Sequence, residues 1–321
     1  MVIVGGITRL TGSGLSMADW QPIMGVFPPM NEAEWNEKFE LYKATPQFID
    51  INNEFTLSEF KSIFWWEFIH RDLGRLIGLI FIIPFIIFWI QKRFNKPLLK
   101  KMFILLFLGS LQAILGWYMV YSGLIDKPYV SHFRLAAHFI TALTVMSYIL
   151  WIILDLKKPV PKTNNNPFLK KISLLLIGII LIQLTYGAFT AGLDAGFGNH
   201  TLSNAFAPPS QFGDILNHPF TVIFIHKYLG IFILLLSIGL QFFSKRIAIS
   251  KEQTIGINIL SATIQLQFLL GLFTLIYNIP IDLAVTHQAV GVLVLSACLY
   301  LLHQSIQSKK LKIVYDKIRM I

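Results

Sequence analysis

The chain has 321 residues, of which 55% are hydrophobic and only 14% charged, and its mean hydropathy is +0.62. An ordinary soluble domain carries about a quarter charged residues, so this composition excludes one, together with disordered and collagen-like chains. It points to a polytopic membrane protein. The net charge is +10, and the single cysteine, Cys298, cannot by itself make an internal disulfide, a zinc knuckle or an iron–sulfur cluster.

The chain opens MVIVGGITRL, with eight residues before Arg9. A membrane helix needs roughly 20 apolar residues, and the basic n-region of a signal peptide is missing. The stretch therefore reads as the outer end of a first membrane helix, with either its remainder upstream of Met1, the favoured reading, or most of that helix lost. Residues 9–72 hold 10 of the 17 acidic residues and read as a folded outer cap. Trp20, Trp35, Phe39, Tyr42, Trp65 and Trp66 are assigned to the membrane interface. EAEWNEKFELYK (32–43) puts Trp35, Phe39 and Tyr42 at i, i+4 and i+7, one face of a helix.

Seven apolar spans follow, at 73–90, 102–121, 135–154, 172–193, 219–243, 257–277 and 284–302. Lys and Arg gather in 92–101, 155–171, 244–251 and the tail 303–321, which together hold 18 of the 27. Loops 194–218 and 278–286 hold none. The positive-inside rule puts the four basic stretches in the cytoplasm. The charge is then topology, and no nucleic-acid partner is expected.

The resulting fold class is an all-α polytopic membrane protein of two pseudosymmetric four-helix bundles. It has eight transmembrane helices, the first truncated to a stub. The N-terminal half with its cap covers 1–154 and a cytoplasmic linker 155–171. The C-terminal half covers 172–303 and a basic tail 304–321. Pseudosymmetry comes from an internal repeat. WWEFIHRDLGRLIG (65–78) aligns with TVIFIHKYLGIFIL (221–234), and LQAILG (111–116) with LQFLLG (266–271). His138 of RLAAHFITAL pairs with His287 of LAVTHQAVGV, and GGITRLTGSG (5–14) corresponds loosely to GAFTAGLDAG (187–196).

There are eight histidines. His132, His200 and His218 fall in outer loops and His303 at an inner helix end. The other four, His70 and His138 in the first half, His226 and His287 in the second, recur within the first turns of outside-to-inside helices. A lone histidine in an apolar helix is usually a helix–helix hydrogen bond. Two per bundle at one depth, with the pair repeated, is what the axial ligands of a haem iron require. Zinc or copper would call for a third recurring ligand. No Cys-x-x-Cys-His motif exists, so such a haem is held non-covalently.

Gly74, Gly78, Gly116, Gly230, Gly271 and Gly291 accompany these helices and allow close approach of a helix or a flat macrocycle. Arg9, Arg71, Arg75, Arg134 and Lys227 lie at similar depth. They could take haem propionates or serve as interfacial anchors and salt bridges. Glu67 shares the helix face of His70 one turn outward, and its counterpart is Ile223. A carboxylate beside one site alone suggests chemistry there and electron transfer or structure at the other. Glu67 is either a proton-transfer group or the ion-pair partner of Arg71 or Arg75.

The segments GGITRLTGSGLSMADWQPIMGVFPP (5–29), EFIHRDLGR (67–75), LQAILGWYMVYSGL (111–124), RLAAHF (134–139), AGLDAG (191–196) and THQ (286–288) resemble the haem A synthase family. The nearer likeness is to its proteobacterial and mitochondrial branch, and it runs from Val4 to about residue 303. The resemblance implies a membrane-bound oxidoreductase of cytochrome c oxidase cofactor biosynthesis. Its substrate is haem O, whose C8 methyl is oxidised to a formyl group by two successive hydroxylations.

By the same resemblance, His70 and His138 hold the substrate haem, with Arg71 and Arg75 beside it. His226 and His287 ligate the iron of a resident haem b, with Lys227 nearby, and Glu67 is catalytic. Haem O synthase and oxidase assembly proteins are the implied partners, in a bacterial inner membrane or, for an organellar chain, the mitochondrial inner membrane. The haem sites then face the outer side and the C-terminus the cytoplasm. The other family branch has a cysteine pair in the first outer loop, and this chain has none, so that electron relay is closed to it. The electron donor and self-association into a homo-oligomer stay open. So does the alternative of a diheme b-type electron carrier, which two bis-histidine sites alone fit equally well.

Overall fold

The computed structural model describes residues 1–19, 24–125, 128–157, 166–197, 208 and 211–306. Trp20, His200, residues 158–165 of the linker and the tail beyond Ile306 lie outside them. Among the described residues the chain forms helices and no strands. Three short helices are α1 (Val2–Leu10), α2 (Glu32–Lys43) and α3 (Pro46–Asp50). Seven long ones follow: α4 (Leu57–Ile90), α5 (Lys96–Gly123), α6 (His132–Leu156), α7 (Pro167–Gly192), α8 (Pro219–Ser244), α9 (Lys251–Ile276) and α10 (Ile281–Ser305). All seven are long and apolar enough to cross a membrane, and many of their large apolar side chains remain exposed on the protein itself. In a soluble protein that surface would be untenable, so the protein is integral to a membrane.

The chain divides into two compact units. One holds residues 1–142 with 280–288, the other residues 143–279 with 289–321. The division passes through α6 and α10.

In the first unit, α4 is the organising element. At 1.5 Å per residue its 34 residues make about 51 Å, against roughly 30 Å of hydrocarbon. The excess is its N-terminal end. Thr56 and Glu59 close a capping box at Leu57, sixteen residues before the apolar run that starts at 73. His70 therefore sits well inside the helix rather than in its first turns. The outer end of α4 carries Phe60, Ile63, Phe64 and Phe68, which join Met17 and Trp35, Phe39 and Tyr42 of α2 in one buried core. Trp35 meets Phe64 edge-on at 5.0 Å, while Phe39 and Tyr42 stack on Phe60 at 5.2 and 5.1 Å. The i, i+4, i+7 stripe thus faces the core of a folded cap, and the interfacial assignment of Trp35, Phe39 and Tyr42 is corrected. Trp65 remains 40% exposed.

The short helix α1 runs antiparallel to the middle of α4. Thr8 Oγ donates to the Trp66 carbonyl at 3.1 Å, and Gly74 faces Met1. On its other side Gln288 Nε2 donates to the Val2 carbonyl at 3.1 Å.

In the second unit, α8 packs between α7 and α9. α10 joins them through Leu301, against Gly256 of α9, and through the buried Cys298, whose thiol points to the Ser173 carbonyl of α7. At one end His303 meets Asp155 at 3.2 Å and packs edge-on against Trp151.

Candidate functional site

The motif that opens the chain folds into the lid of the first unit. α1 ends at Leu10. Gly12 then takes a left-handed conformation, φ +66°, which a side chain would resist. The turn Ser13–Leu15 follows and delivers Ser16 and Met17 onto α4. There Ser16 Oγ and the Met17 amide both donate to Oε2 of Glu67, each at 2.8 Å. From the next turn of α4, Arg71 donates to Oε1 through Nε, at 3.1 Å, and through Nη2. It also reaches the Met17 carbonyl at 3.3 Å.

Glu67 is 2% exposed, and each of these neighbours is a donor. A buried carboxylate is tolerated only when paired and hydrogen-bonded in this way. The structure therefore gives Glu67 the ion-pair role with Arg71, and makes the pair the fastening between α4 and the 12–17 turn. Arg75 acts in a similar way a turn further inward, pairing with Asp72 and donating to the Gly25 carbonyl at 2.9 Å. The cap is pinned a second time by Gln47, whose amide donates to the Gly12 carbonyl at 2.7 Å. Gln47 also accepts from the Tyr42 hydroxyl at 3.2 Å.

The histidines rest on glycines. A Cβ added at Gly5 of α1 would stand 3.0 Å from His70 Nε2. One added at Gly116 of α5 would stand 2.8 Å from His138 Cε1. In the second unit, one at Gly187 of α7 would stand 3.0 Å from His226 Cε1. Gly5 and Gly187 occupy matching places in the internal repeat, as do His70 and His226. The repeat is thus carried by contacts as well as by letters: each imidazole closely approaches a backbone that has no side chain.

In both units a glutamine partners the imidazole. His226 Nδ1 faces the Gln183 carbonyl at 3.2 Å. A carbonyl only accepts, so Nδ1 carries the proton and Nε2 the lone pair, which is the tautomer a metal-ligating imidazole takes. Gln183 Nε2 donates back to the His226 carbonyl at 3.0 Å. His138 likewise meets Gln112, through a backbone hydrogen bond and with Gln112 Nε2 at 3.2 Å from its Nε2. Gln112 Oε1 and Gln183 Oε1 are both buried without a hydrogen-bond partner.

Lys227 is half-buried beside His226. Arg134 lies over the Tyr118 ring at 5.0 Å. His132 opens α6, and His218 caps the start of α8 with Nδ1 3.1 Å from Thr221 Oγ1. His287 lies on α10 next to the Gln288 that reaches α1.

These donors fit a haem iron. Among the described residues no three His, Cys, Asp or Glu side chains converge as a metal cage would need. What the structure offers is single imidazoles, one with its tautomer fixed by a carbonyl, on glycine beds flat enough for a macrocycle. Sequence reading missed Ser16 and Met17 as partners of Glu67, and Gln112 and Gln183 as partners of the histidines. Gln112 had a signal in the LQxxLG repeat; Gln183 lies outside every repeated segment.

A family profile described as cytochrome oxidase assembly protein, COX15-CtaA, matches residues 1–299. The heme A synthase of Flavobacterium psychrophilum is 45% identical over 317 residues, covering 95% of this chain and 93% of that protein. That of Flavobacterium johnsoniae is 40% identical with the same coverage. That of Ehrlichia ruminantium is 37% identical over 333 residues, covering 99% of this chain and 92% of that protein. No solved structure matches.

Proposed function

The chain belongs to the COX15-CtaA family of cytochrome oxidase assembly proteins, and we propose that it is a haem A synthase, an oxidoreductase that converts the C8 methyl of haem O to a formyl group. The observation that carries this reading is relatedness at 37–45% identity over more than nine-tenths of proteins bearing that name. The unequal surroundings of the histidines in the two units support it.

In this reading His70 and His138, both in the first unit, hold the substrate. Gly5 and Gly116 keep their rings flat against α1 and α5. Glu67 and Arg71 hold the 12–17 turn down beside His70, which excludes water from the reacting edge. Arg71 and Arg75 supply positive charge for the propionates. Glu67 is the catalytic residue, as the family resemblance implies, with its carboxylate held in place by the ion pair to Arg71.

His226 is a ligand of a resident haem b, with Lys227 at its propionate end; His287 is assigned to that haem by its place in the repeat alone, since residues 280–288 belong to the first unit. When bound, that haem passes electrons. The donation from His226 Nδ1 to the Gln183 carbonyl makes Nε2 the more basic ligand. The membrane is the bacterial inner membrane, or its mitochondrial equivalent, with the cap outside and the basic loops in the cytoplasm. Haem O synthase is the source of substrate, and oxidase assembly proteins receive the product.

The test is co-expression with a haem O synthase in a host that makes no haem A, followed by chromatography of the extracted haems with mass detection. Haem A or its hydroxymethyl precursor is expected. Glu67→Gln is expected to abolish both while the haem b content stays. Haem O and haem b alone from the unsubstituted protein would favour the diheme electron carrier instead.

A further inference from the structure

We propose that α7 and α8 form a groove for one anionic phospholipid, with an acyl chain between the helices and the phosphate on the cations at their basic end. The groove lies between Phe168 and Ile172 of α7 and Phe232, Leu236, Gly239 and Phe243 of α8; it encloses about 350 Å³, and every residue that lines it is apolar. Phe168, Phe232 and Phe243 remain exposed, so the groove opens sideways from the protein. From Phe232 to Phe243 it runs about 17 Å along α8, close to the depth of about 15 Å that one leaflet contributes to the hydrocarbon core.

Gly239 makes the groove. Glycine costs stability in a helix interior, and elsewhere in this unit a neighbour uses the room it leaves: His226 at Gly187, Gln183 at Gly230 and Leu301 at Gly256. A Cβ added at Gly239 would meet no protein atom within 4 Å, so its backbone is open to a chain from the bilayer. The charge names the headgroup. Phe168 and Phe243 meet at 4.9 Å where the groove ends. Lys170 and Lys171 stand exposed just beyond the first, Lys245 and Arg246 just beyond the second, and residues 166–172 and 240–250 hold no Asp or Glu. The positive-inside rule accounts for such cations but not for the groove. Lys92 and Arg93 end α4 in a similar way, and there Phe85 is only 5% exposed, packed by Phe94 and Phe103. A neutral isoprenoid would suit the walls and leave the four cations unused.

The test is native mass spectrometry of the full-length protein, equilibrated in mild detergent with phosphatidylglycerol and phosphatidylcholine of the same acyl chains. Phosphatidylglycerol is expected to be retained about ten-fold over phosphatidylcholine. Gly239→Leu fills the groove without meeting another side chain, and should lower phosphatidylglycerol retention about ten-fold while helical circular dichroism stays unchanged. Lys245→Gln with Arg246→Gln lies on the surface and serves if the leucine variant does not accumulate; it should bring the preference to about two-fold or less. Lys92→Gln with Arg93→Gln removes as much charge and should leave the preference intact. Equal retention of the two lipids, or undiminished retention in a folded Gly239→Leu protein, overturns the site. So does a neutral isoprenoid copurifying in place of phospholipid, or an equal loss of preference in the Lys92 and Arg93 variant.

Discussion

The two units carry the same histidine-on-glycine element, His70 against Gly5 and His226 against Gly187, and differ in what surrounds it. In the second unit, main chain and amide clasp the His226 segment to Gln183 by two bonds of 3.2 and 3.0 Å. In the first, Gln112 meets His138, and a buried ion pair on the helix of His70 fastens the 12–17 turn. Where Glu67 stands in one copy, Ile223 stands in the other, 3% exposed and without a charge to satisfy. The lesson is that a duplicated scaffold kept its histidines and their glutamine neighbours and diverged in the charge one turn away.

The sharpest way to break that comparison is to remove the same positive charge from both copies. Arg71 and Lys227 match in the repeat, yet only Arg71 neutralises a buried carboxylate. Arg71→Met leaves Glu67 buried with Ser16 and Met17 alone. Breaking one side of a buried pair costs about 3–5 kcal/mol, so the 12–17 turn should open, with hydrogen exchange at the Met17 amide rising by about two orders of magnitude or more. Lys227→Met should change the melting temperature little. Adding Glu67→Leu to Arg71→Met should recover more than half of the loss, because no charge is then stranded. Equal melting temperatures for Arg71→Met and Lys227→Met would remove the distinction drawn between the units.

A smaller effect separates the units through what they share. Gly187→Val puts a branched side chain where even a Cβ stands 3.0 Å from His226, and Gly5→Val does the same to His70. Overpacking of this kind costs about 1–3 kcal/mol. Each variant should lose haem from its own unit by about ten-fold or more and leave the other loaded, as read by extraction and mass. Loss of both haems from either variant would show that the sites stand or fall together.

Much of this was legible in the letters. The spans follow from apolar run length, and the cap helix from Trp35, Phe39 and Tyr42 recurring at helical spacing. The histidines follow from recurrence across the halves. The outer extension of α4 was not legible, because residues 57–72 mix Phe and Trp with Ser, Lys, Glu and His. Hydropathy therefore ends where the helix does not. The choice between proton transfer and ion pairing for Glu67 was open at helical spacing, since Arg71 at i+4 was within reach. The decisive donors, Ser16 and the Met17 amide, lie about fifty residues away and arrive only through the left-handed turn at Gly12. Gln183 was invisible for a similar reason: its contact with His226 is made by packing of α7 on α8, which no local pattern encodes.

The smallest effect tests whether the cap is a closed core or a surface fold. Tyr42 is fully buried, and its hydroxyl accepts from Asn52 Nδ2 at 2.7 Å while donating to Gln47. Burial pushes its pKa up from the ordinary tyrosine value, the Asn52 bond draws it partly back, and the charge of Glu67 adds to the rise. A folded pKa above the unfolded one means that this group's contribution to stability is fully present below about pH 10. It is lost as pH climbs through the folded value, because the unfolded chain then gives up the proton first. The tyrosinate absorbance of the unsubstituted protein minus that of Tyr42→Phe isolates this hydroxyl among ten tyrosines. Its midpoint is expected above about 10, with the 32–50 segment becoming protease-sensitive over the same interval. At neutral pH Tyr42→Phe should cost about 1–3 kcal/mol, since Asn52 and Gln47 lose their shared partner. A midpoint at or below 10 would mean that water reaches Tyr42, and that the cap is a surface fold rather than a closed core.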